Sequence, residues 1–565
     1  MKISHKLRIG CVFLIFFALF MVGIIHLFHL QVRQHSFFVD LGNKQYNVTV
    51  TTPPARALIL DRHGHPLALN HHSIAAFILP KTLKEPLAVK KFLQKHFPLV
   101  AQRLKKNTDA HFLYVKRKLT PEEQQFLTDS KLEDIKFLSE PSRFYPSPAA
   151  SPITGITNID NNGLFGIELQ FNKLLAGTPT TSILARDARS GHFYFSHTTL
   201  EQGDEGTPVR LTIDSDLQFL VQEELAARIT KFKAEEGAAI VMDPITGDIL
   251  AMASFPSFNA NETREINFAT TKNTAFTESY EFGSGIKAFA ALAALEEGVV
   301  TPDEIIDCEN TKTTYVDGRR INTVVAAGLL TFEEVIALSN NIGIAKIAKR
   351  LGPKLYTHYR KLGFGSKTGI PLPGEQSGFV NPPERWSKQS IISLSYGYEI
   401  RTTLLRMTTA FCVFSNGGLL LSPRLILCPE EHTKKPEKIY SDASIEKMRT
   451  ILEKTTSDKG TARHASLHGY TTIGKTSTAN LLVNGHYVSE ENMYGFFGVV
   501  EKGSYKRAIG CFVKKSPYRD LYAATVAAPL FKKIVEKLLI HEQVIAGEDN
   551  VDSSHGTPAQ TGSLS

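Results

Sequence analysis

Cysteine is scarce in this chain: there are five in 565 residues, Cys11, Cys308, Cys412, Cys428 and Cys511. Their spacings make neither a metal pattern nor a disulfide framework, so a stapled scaffold is excluded and buried free thiols are expected. Histidine supplies no metal signature either. His63 and His65 share a turn-like stretch and His71 and His72 are adjacent, a poor arrangement for tetrahedral ligation; no metal and no cofactor is expected. A strong excess of one charge is also missing, since 64 Lys and Arg stand against 56 Asp and Glu, a net +8. That balance argues against a nucleic-acid partner. The lysine-rich segment 81–118 reads as a solvated face, with an anionic lipid or polymer as the specific alternative.

Charge is absent altogether from one stretch. Ile9 to Leu30 runs 22 residues without a formal charge, long enough to cross a bilayer core. Lys2, Lys6 and Arg8 precede it, so the positive-inside rule places residues 1–8 in the cytoplasm, a single anchor over 9–30, and the rest of the chain on the periplasmic side of a cytoplasmic membrane. A cleaved signal peptide is the rival. The run is too long for one, and Gln31-Val32-Arg33-Gln34 offers no small-residue cleavage site. His26 and His29, near the outer end, read as interfacial residues rather than ligands.

With 42% apolar and 21% charged residues, the remainder is long enough for two folded domains. Residues 45–205 read as an irregular α+β domain. In residues 206–544, strand signals at 237–254 and 470–513, long helical runs between them and a last helix near Val526 to Leu539 predict an antiparallel sheet packed with helices. Hairpin cues are Pro244-Ile245-Thr246-Gly247 and Asn484-Gly485. The tail 545–565 has little apolar content and many Gly, Ser, Thr and Asp residues, and is expected to be disordered.

Three short motifs fall in order within the second domain: Ser284-Gly285-Ile286-Lys287, Ser339-Asn340-Asn341 and Lys475-Thr476-Ser477. Each has a decoy elsewhere, and context separates them. Ser284 opens an apolar stripe, Ile286, Phe289, Leu292 and Leu295, that stops at Gly298, which puts its hydroxyl at a helix N-terminus. Ser444, in a second S-x-x-K, precedes a charged amphipathic run and reads as an N-cap. Ser257, in a second S-x-N, follows a strand with no helix to present it. Lys367-Thr368-Gly369 lies in a Gly- and Pro-rich loop stretch, whereas Lys475 sits in a β-branched strand, Tyr470 to Ala479.

Together the motifs supply a serine acyltransferase whose base is a lysine. Ser284 and Lys287, three apart on one helix, share a face. A lysine takes a serine's proton only if burial or a neighbouring cation keeps it neutral, and Lys475 is that cation. Ser339 relays the proton to the leaving amine, while Asn341 holds Lys287 and the substrate amide. The backbone N–H groups of Ser284 and Thr478 are the candidate oxyanion donors, helped by the helix dipole. Thr476 and Thr478, with Ser477 between them and Lys475 close by, suit a substrate carboxylate.

The motif set is that of penicillin-binding proteins and related β-lactamases, and the chain resembles a class B penicillin-binding protein, a monofunctional D,D-transpeptidase of bacterial wall synthesis. Arg56 to Gly64, Arg143-Phe144-Tyr145-Pro146 and Gly163 to Glu168 are similar to the family's pedestal; Leu211 to Asp214 and Met242 to Met252 are similar to the start of its transpeptidase domain, and Tyr396-Gly397-Tyr398 through Ser415-Asn416-Gly417-Gly418 to the stretch between its second and third motifs. There are departures: Ser477 stands where the family usually has glycine, Phe282 where proline is common, and Ala57 where glycine is usual.

The resemblance implies a pedestal (dimerisation-like) domain at 45–205 and a penicillin-recognising transpeptidase domain at 206–544. It also implies D-Ala-D-Ala stem peptides as donors, an amine acceptor, β-lactams as inhibitors, and a glycan polymerase and divisome membrane proteins as partners. The compact pedestal resembles the division-associated, septal type. The rivals are a D,D-carboxypeptidase, a β-lactamase or β-lactam sensor, and a scaffold of the wall-synthesis complex whose chemistry has lapsed. A bifunctional glycosyltransferase is disfavoured because no glycosyltransferase signature precedes Ser284.

Overall fold

The computed structural model describes residues 5–52, 54–107, 110, 112–186, 193–262, 270–427, 435–483 and 486–544. Lys2, Cys428, the Asn484-Gly485 cue and the tail from 545 lie outside them. The chain divides into two compact units, Met1–Ala57 with Lys173–Thr207, and Leu58–Asn172 with Pro208–Ser565.

In the first unit, α1 (His5–Phe28) contains the charge-free run. The helical stretch Lys6–Arg33 has a mean hydropathy of 2.8 and is long and apolar enough to cross a membrane, which fits a single-pass anchor. A further helix, His35–Tyr46, leads into a three-stranded antiparallel sheet of Asn47–Thr52, Thr180–Arg186 and Phe193–Glu201, with Thr180–Arg186 in the middle.

The second unit begins with β1 (Ile59–Leu60), β2 (Pro66–Ile78), β3 (Leu113–Leu119) and β4 (Lys136–Phe144). β2 is central, antiparallel to β1, β3 and β4, and β1 also pairs in parallel with β5 (Val209–Arg210). Two short helices between β2 and β3 lay Val89, Leu93, Ala101 and Leu104 against Ala76, Ile78 and Val115. Arg143 and Glu168, 1% and 0% exposed, form an ion pair at 2.7 Å. The carboxylate of Asp61 accepts from the backbone N–H groups of His63 and His65 and from the Ser215 hydroxyl, each at 2.8 Å. This fastens the first turn of β1–β2 to the start of α2 (Ser215–Phe232). Asp214 caps α2, and its Oδ2 also meets His63 at 3.2 Å and His541 at 2.9 Å.

The second half of this unit is built on β6 (Glu236–Met242), β7 (Ile249–Phe255), β8 (Thr471–Val483), β9 (His486–Lys502) and β10 (Tyr505–Lys514). They form one antiparallel sheet in the order β7-β6-β10-β9-β8, with β8 on the edge. Side chains alternate between its faces as the two-residue period of a strand requires. Phe496, Ile509 and Cys511 pack against Leu217, Val221 and Leu225 of α2 and Val526 and Phe531 of α6 (Ala523–His541). On the opposite face Phe497 and Phe512 meet Phe282, and Phe411 stacks on Phe497 at 5.6 Å. Phe289 of α3 (Lys287–Glu296) extends this aromatic layer to Phe414. α+β is therefore the observed class. The hairpin cue at 244–247 joins β6 to β7, with Gly247 at φ +79°.

One local expectation fails. Ser444 is not a helix cap: α5 (Asp442–Thr456) is capped by Ser441, whose hydroxyl accepts from the Ser444 N–H at 3.3 Å. Ser441 is extended, at φ −70° and ψ 149°, so the first serine of the pair meets the orphan donors. Among the described residues, Cys308, Cys412 and Cys511 are buried free thiols.

Candidate active site

The nucleophile turn is built by close backbone approach. Gly283, at φ +52°, would place a Cβ 2.7 Å from the Thr478 carbonyl oxygen, and a Cβ on Gly397, at φ +91°, would fall 2.1 Å from the carbonyl oxygen of Gly283. Both positions demand glycine, for conformation and for space. Gly283–Ile286 then form a single 3-10 turn that runs directly into α3, so Ser284 and Lys287 lie one above the other. α3 is closed off by Gly298 just beyond its end, at φ +65°, with the Val299 N–H returning to the Ala294 carbonyl at 3.0 Å. Ser284 is partly exposed, and no hydrogen bond among the described residues engages its hydroxyl.

Lys287 is 0% exposed. Its Nζ donates to the Ser339 carbonyl oxygen at 2.6 Å and to the Ser339 hydroxyl at 3.1 Å. Ser339 reaches it because the chain reverses between two helices there with Ser339 at φ +58°, a costly conformation for a residue with a Cβ. Asn340 caps the next helix, α4 (Asn341–Leu351). Asn341, its first residue, donates through Nδ2 to the Asn322 carbonyl at 2.5 Å. The structure therefore sets Asn341 beside Asn322 rather than on Lys287, and leaves its buried Oδ1 without a partner among the described residues.

Lys475 lies on edge strand β8, is 0% exposed, and its Nζ has no hydrogen-bond partner among the described residues. Burial brings its pKa down to about 7. Burial holds Lys287 well below the usual lysine range, and the charge of Lys475 pushes it in the same direction. A dry lysine beside a second cation is the electrostatic condition for a neutral amine near neutral pH.

The strand alternation sends Lys475 and Ser477 to one face and Thr476 and Thr478 to the other. Thr476 Oγ1 meets Thr461 Oγ1 at 3.3 Å, and Thr478 Oγ1 accepts from the Ala523 N–H at 3.2 Å. The Ser477 hydroxyl, in a residue 0% exposed, donates to the Phe282 carbonyl oxygen two residues before Ser284. It sits on the nucleophile turn, not in open space where a substrate would meet it. Ser477→Gly is accordingly expected to cost about 1 kcal/mol of stability, the net worth of one hydrogen bond, and to slow penicillin acylation several-fold; thermal melting and a labelling time course check both.

Several supports carried no signal in the sequence. Thr323 accepts from the Asn341 N–H at 3.5 Å, Asn322 faces the Asn341 amide, and Thr461 faces Thr476. Gly397 lay in a recognised stretch, but its close approach to the nucleophile turn depends on tertiary packing. The decoy Lys367-Thr368-Gly369 folds back on Glu375, whose carboxylate accepts from the N–H groups of Thr368 and Gly369 at 2.5 and 3.0 Å.

Comparison with protein families decides the assignment. Residues 237–536 match the penicillin binding protein transpeptidase domain, and residues 51–211 match the penicillin-binding protein dimerisation domain. The chain belongs to the penicillin-binding protein transpeptidase family. This penicillin-binding protein is 29% identical over 516 residues to the probable peptidoglycan D,D-transpeptidase PbpC of Pseudomonas aeruginosa, covering 90% of each chain. It is 26% identical over 549 residues to the peptidoglycan D,D-transpeptidase FtsI of Escherichia coli, covering 95% of this chain and 92% of that one. The crystal structure of penicillin binding protein 3 from Mycobacterium tuberculosis, complexed with aztreonam, superposes with a TM-score of 0.68 at 25% identity, covering 88% of this chain and 98% of that one.

Proposed function

We propose that this penicillin-binding protein is a peptidoglycan D,D-transpeptidase that cross-links stem peptides in septal wall synthesis. The observation that carries the chemistry is the dry pair Lys287 and Lys475, with Lys287 one helical turn along the chain from an uncommitted Ser284 hydroxyl. Ser284 Oγ attacks the carbonyl carbon of the penultimate D-Ala while its proton passes to Lys287 Nζ. The oxyanion that forms is met by the backbone N–H groups of Ser284 and Thr478. The peptide bond to the terminal D-Ala breaks, and the departing nitrogen takes a proton from Lys287 by way of the Ser339 hydroxyl. An acyl ester remains on Ser284. An amine of a second stem peptide attacks that ester, gives up a proton along the reverse route, and frees Ser284. Lys475 meets the substrate carboxylate along edge strand β8, Thr476 and Thr478 line the other face of that strand, Ser477 ties the strand to the nucleophile turn, and Asn341 Oδ1 accepts from the substrate amide.

The domain organisation follows the same reading: a cytoplasmic N-terminus at 1–8, an anchor at 9–30 in the inner membrane, a pedestal at 45–205, a periplasmic transpeptidase domain at 206–544 and a tail at 545–565. A glycan polymerase and division membrane proteins are the partners, and no nucleic acid is. The septal assignment is supported by similarity to FtsI. The experiment is an exchange assay: the full chain in detergent micelles receives a stem peptide ending in D-Ala-D-Ala and a labelled D-amino acid. Label incorporated with release of D-Ala is expected. Release without incorporation means a carboxypeptidase, and neither, in a folded protein, means a scaffold.

A further inference from the structure

A second polar cavity lies outside the Ser284 site but within the same compact unit. It has a volume of about 230 Å³, and its walls include His71 and Ser73 of β2, Lys118 of β3, Ser142 and Arg143 of β4, and Asn261. Among the described residues, no Asp or Glu lines it. Arg143 is paired with Glu168 at 2.7 Å, which leaves Lys118 to set the charge.

Lys118 is aimed by a break in the sheet. Between the pairs Ile74↔Leu119 and Ala76↔Lys116 the register advances two residues on β2 but three on β3, a β-bulge in which Lys118 takes φ +51°. Its neighbour Arg117 is engaged by Glu140 at 2.9 Å and Asp160 at 2.7 Å. Lys118 itself has no hydrogen bond or ion pair among the described residues. Beside it, the hydroxyl of Ser142, in a residue 1% exposed, also lacks a partner among the described residues. A half-buried cation and a buried hydroxyl on one wall are each unfavourable while unmatched.

We propose that this cavity binds a compact oxyanion, a phosphate group, with Lys118 as its counter-ion, Ser142 Oγ as a hydrogen-bond donor and His71 at the rim. Arg143 holds Glu168 through Nε and Asn70 through Nη1, so the anion is met chiefly by the Lys118 point charge and the Ser142 hydroxyl. The volume admits a phosphate with one substituent, so a free phosphate ion and a phosphate ester on a larger molecule share the chemistry. Burial and the adjacent charge of Arg117 depress the pKa of Lys118 against the opposing pull of Glu140; burial and then Lys118 depress that of His71, which therefore meets an anion as a neutral imidazole. A bound anion would raise both.

The test is thermal melting of the full chain in neutral detergent micelles at fixed ionic strength, with chloride exchanged for inorganic phosphate or for glycerol 1-phosphate. A saturable rise in Tm with phosphate is expected for the wild type. It should disappear in Lys118→Gln and need several-fold more phosphate in Ser142→Ala. Both variants should still be labelled by a fluorescent penicillin, which shows that they fold and separates this site from the acylation chemistry. A matching rise with glycerol 1-phosphate assigns an ester ligand, and phosphate alone assigns the free ion. No saturable rise in the wild type, or an equal one in Lys118→Gln, overturns the proposal.

Discussion

Ser284→Ala is expected to lower the rate of acylation by a fluorescent penicillin by a factor of about 10⁴ or more, the scale on which removing a covalent nucleophile acts. The other hydroxyls of the three motifs, and that of Thr478 just after the third, are committed. Ser339 is turned onto Lys287, Ser477 onto the Phe282 carbonyl, Thr476 onto Thr461, and Thr478 onto the Ala523 N–H. Ser284 alone among them combines exposure to the cleft with an unengaged hydroxyl. Its loss leaves no buried polar group behind, so stability should change by no more than about 0.5 kcal/mol. Gel fluorescence over time, alongside a melting curve of the same preparation, reads both quantities. Labelling that persists in the variant would place the nucleophile elsewhere.

Lys287→Met is expected to move activity and stability in opposite directions. Removing a general base costs roughly 10² to 10⁴ in rate, so acylation should collapse. Stability should rise. A lysine whose pKa is lower in the folded chain refuses a proton that the unfolded chain accepts, so below the unfolded value folding gives up that proton's free energy, and stability increases with pH through this window. Lys475 spans from about 7 folded to 10.5 unfolded, and Lys287 is depressed in the same direction. Methionine fills a similar volume with no charge to desolvate, so the variant should melt higher than the wild type at neutral pH, a trade of stability for function. In the wild type the second-order acylation rate should be bell-shaped in pH. It should fall on the acid side as Lys287 gains a proton, and above about 7 as Lys475 loses the charge that keeps Lys287 neutral and attracts a carboxylate. Stopped-flow labelling across pH checks the profile; a rate that stays flat from acid to alkaline pH would remove both lysines from the step.

Much of this was legible in the residue order because local physics wrote it there. Ser284 and Lys287 had to share a helix face, Ser339 and Asn341 had to flank a reversal, and the β-branched run around Lys475 had to be a strand. Edge position was not legible: it depends on which strands β8 fails to pair with, a property of the whole sheet. Nor was the fate of Ser477 and Asn341, whose side chains are fixed by the Phe282 and Asn322 carbonyls from segments far away in sequence. The misplaced cap at Ser444 has a nearer cause. Two serines three residues apart both suit a helix start, and only the backbone direction after Tyr440 selects Ser441.

The most direct measurement is a peptide map of the full chain after reaction with benzylpenicillin. Trypsin cuts after Lys272 and Lys287, so Ser284 lies in the peptide Asn273 to Lys287, while the decoy Ser444 lies in Ile439 to Lys447. The account predicts one penicilloyl adduct, on the first peptide and fragmenting at Ser284. An adduct on the second peptide, or none on a folded chain, would contradict it.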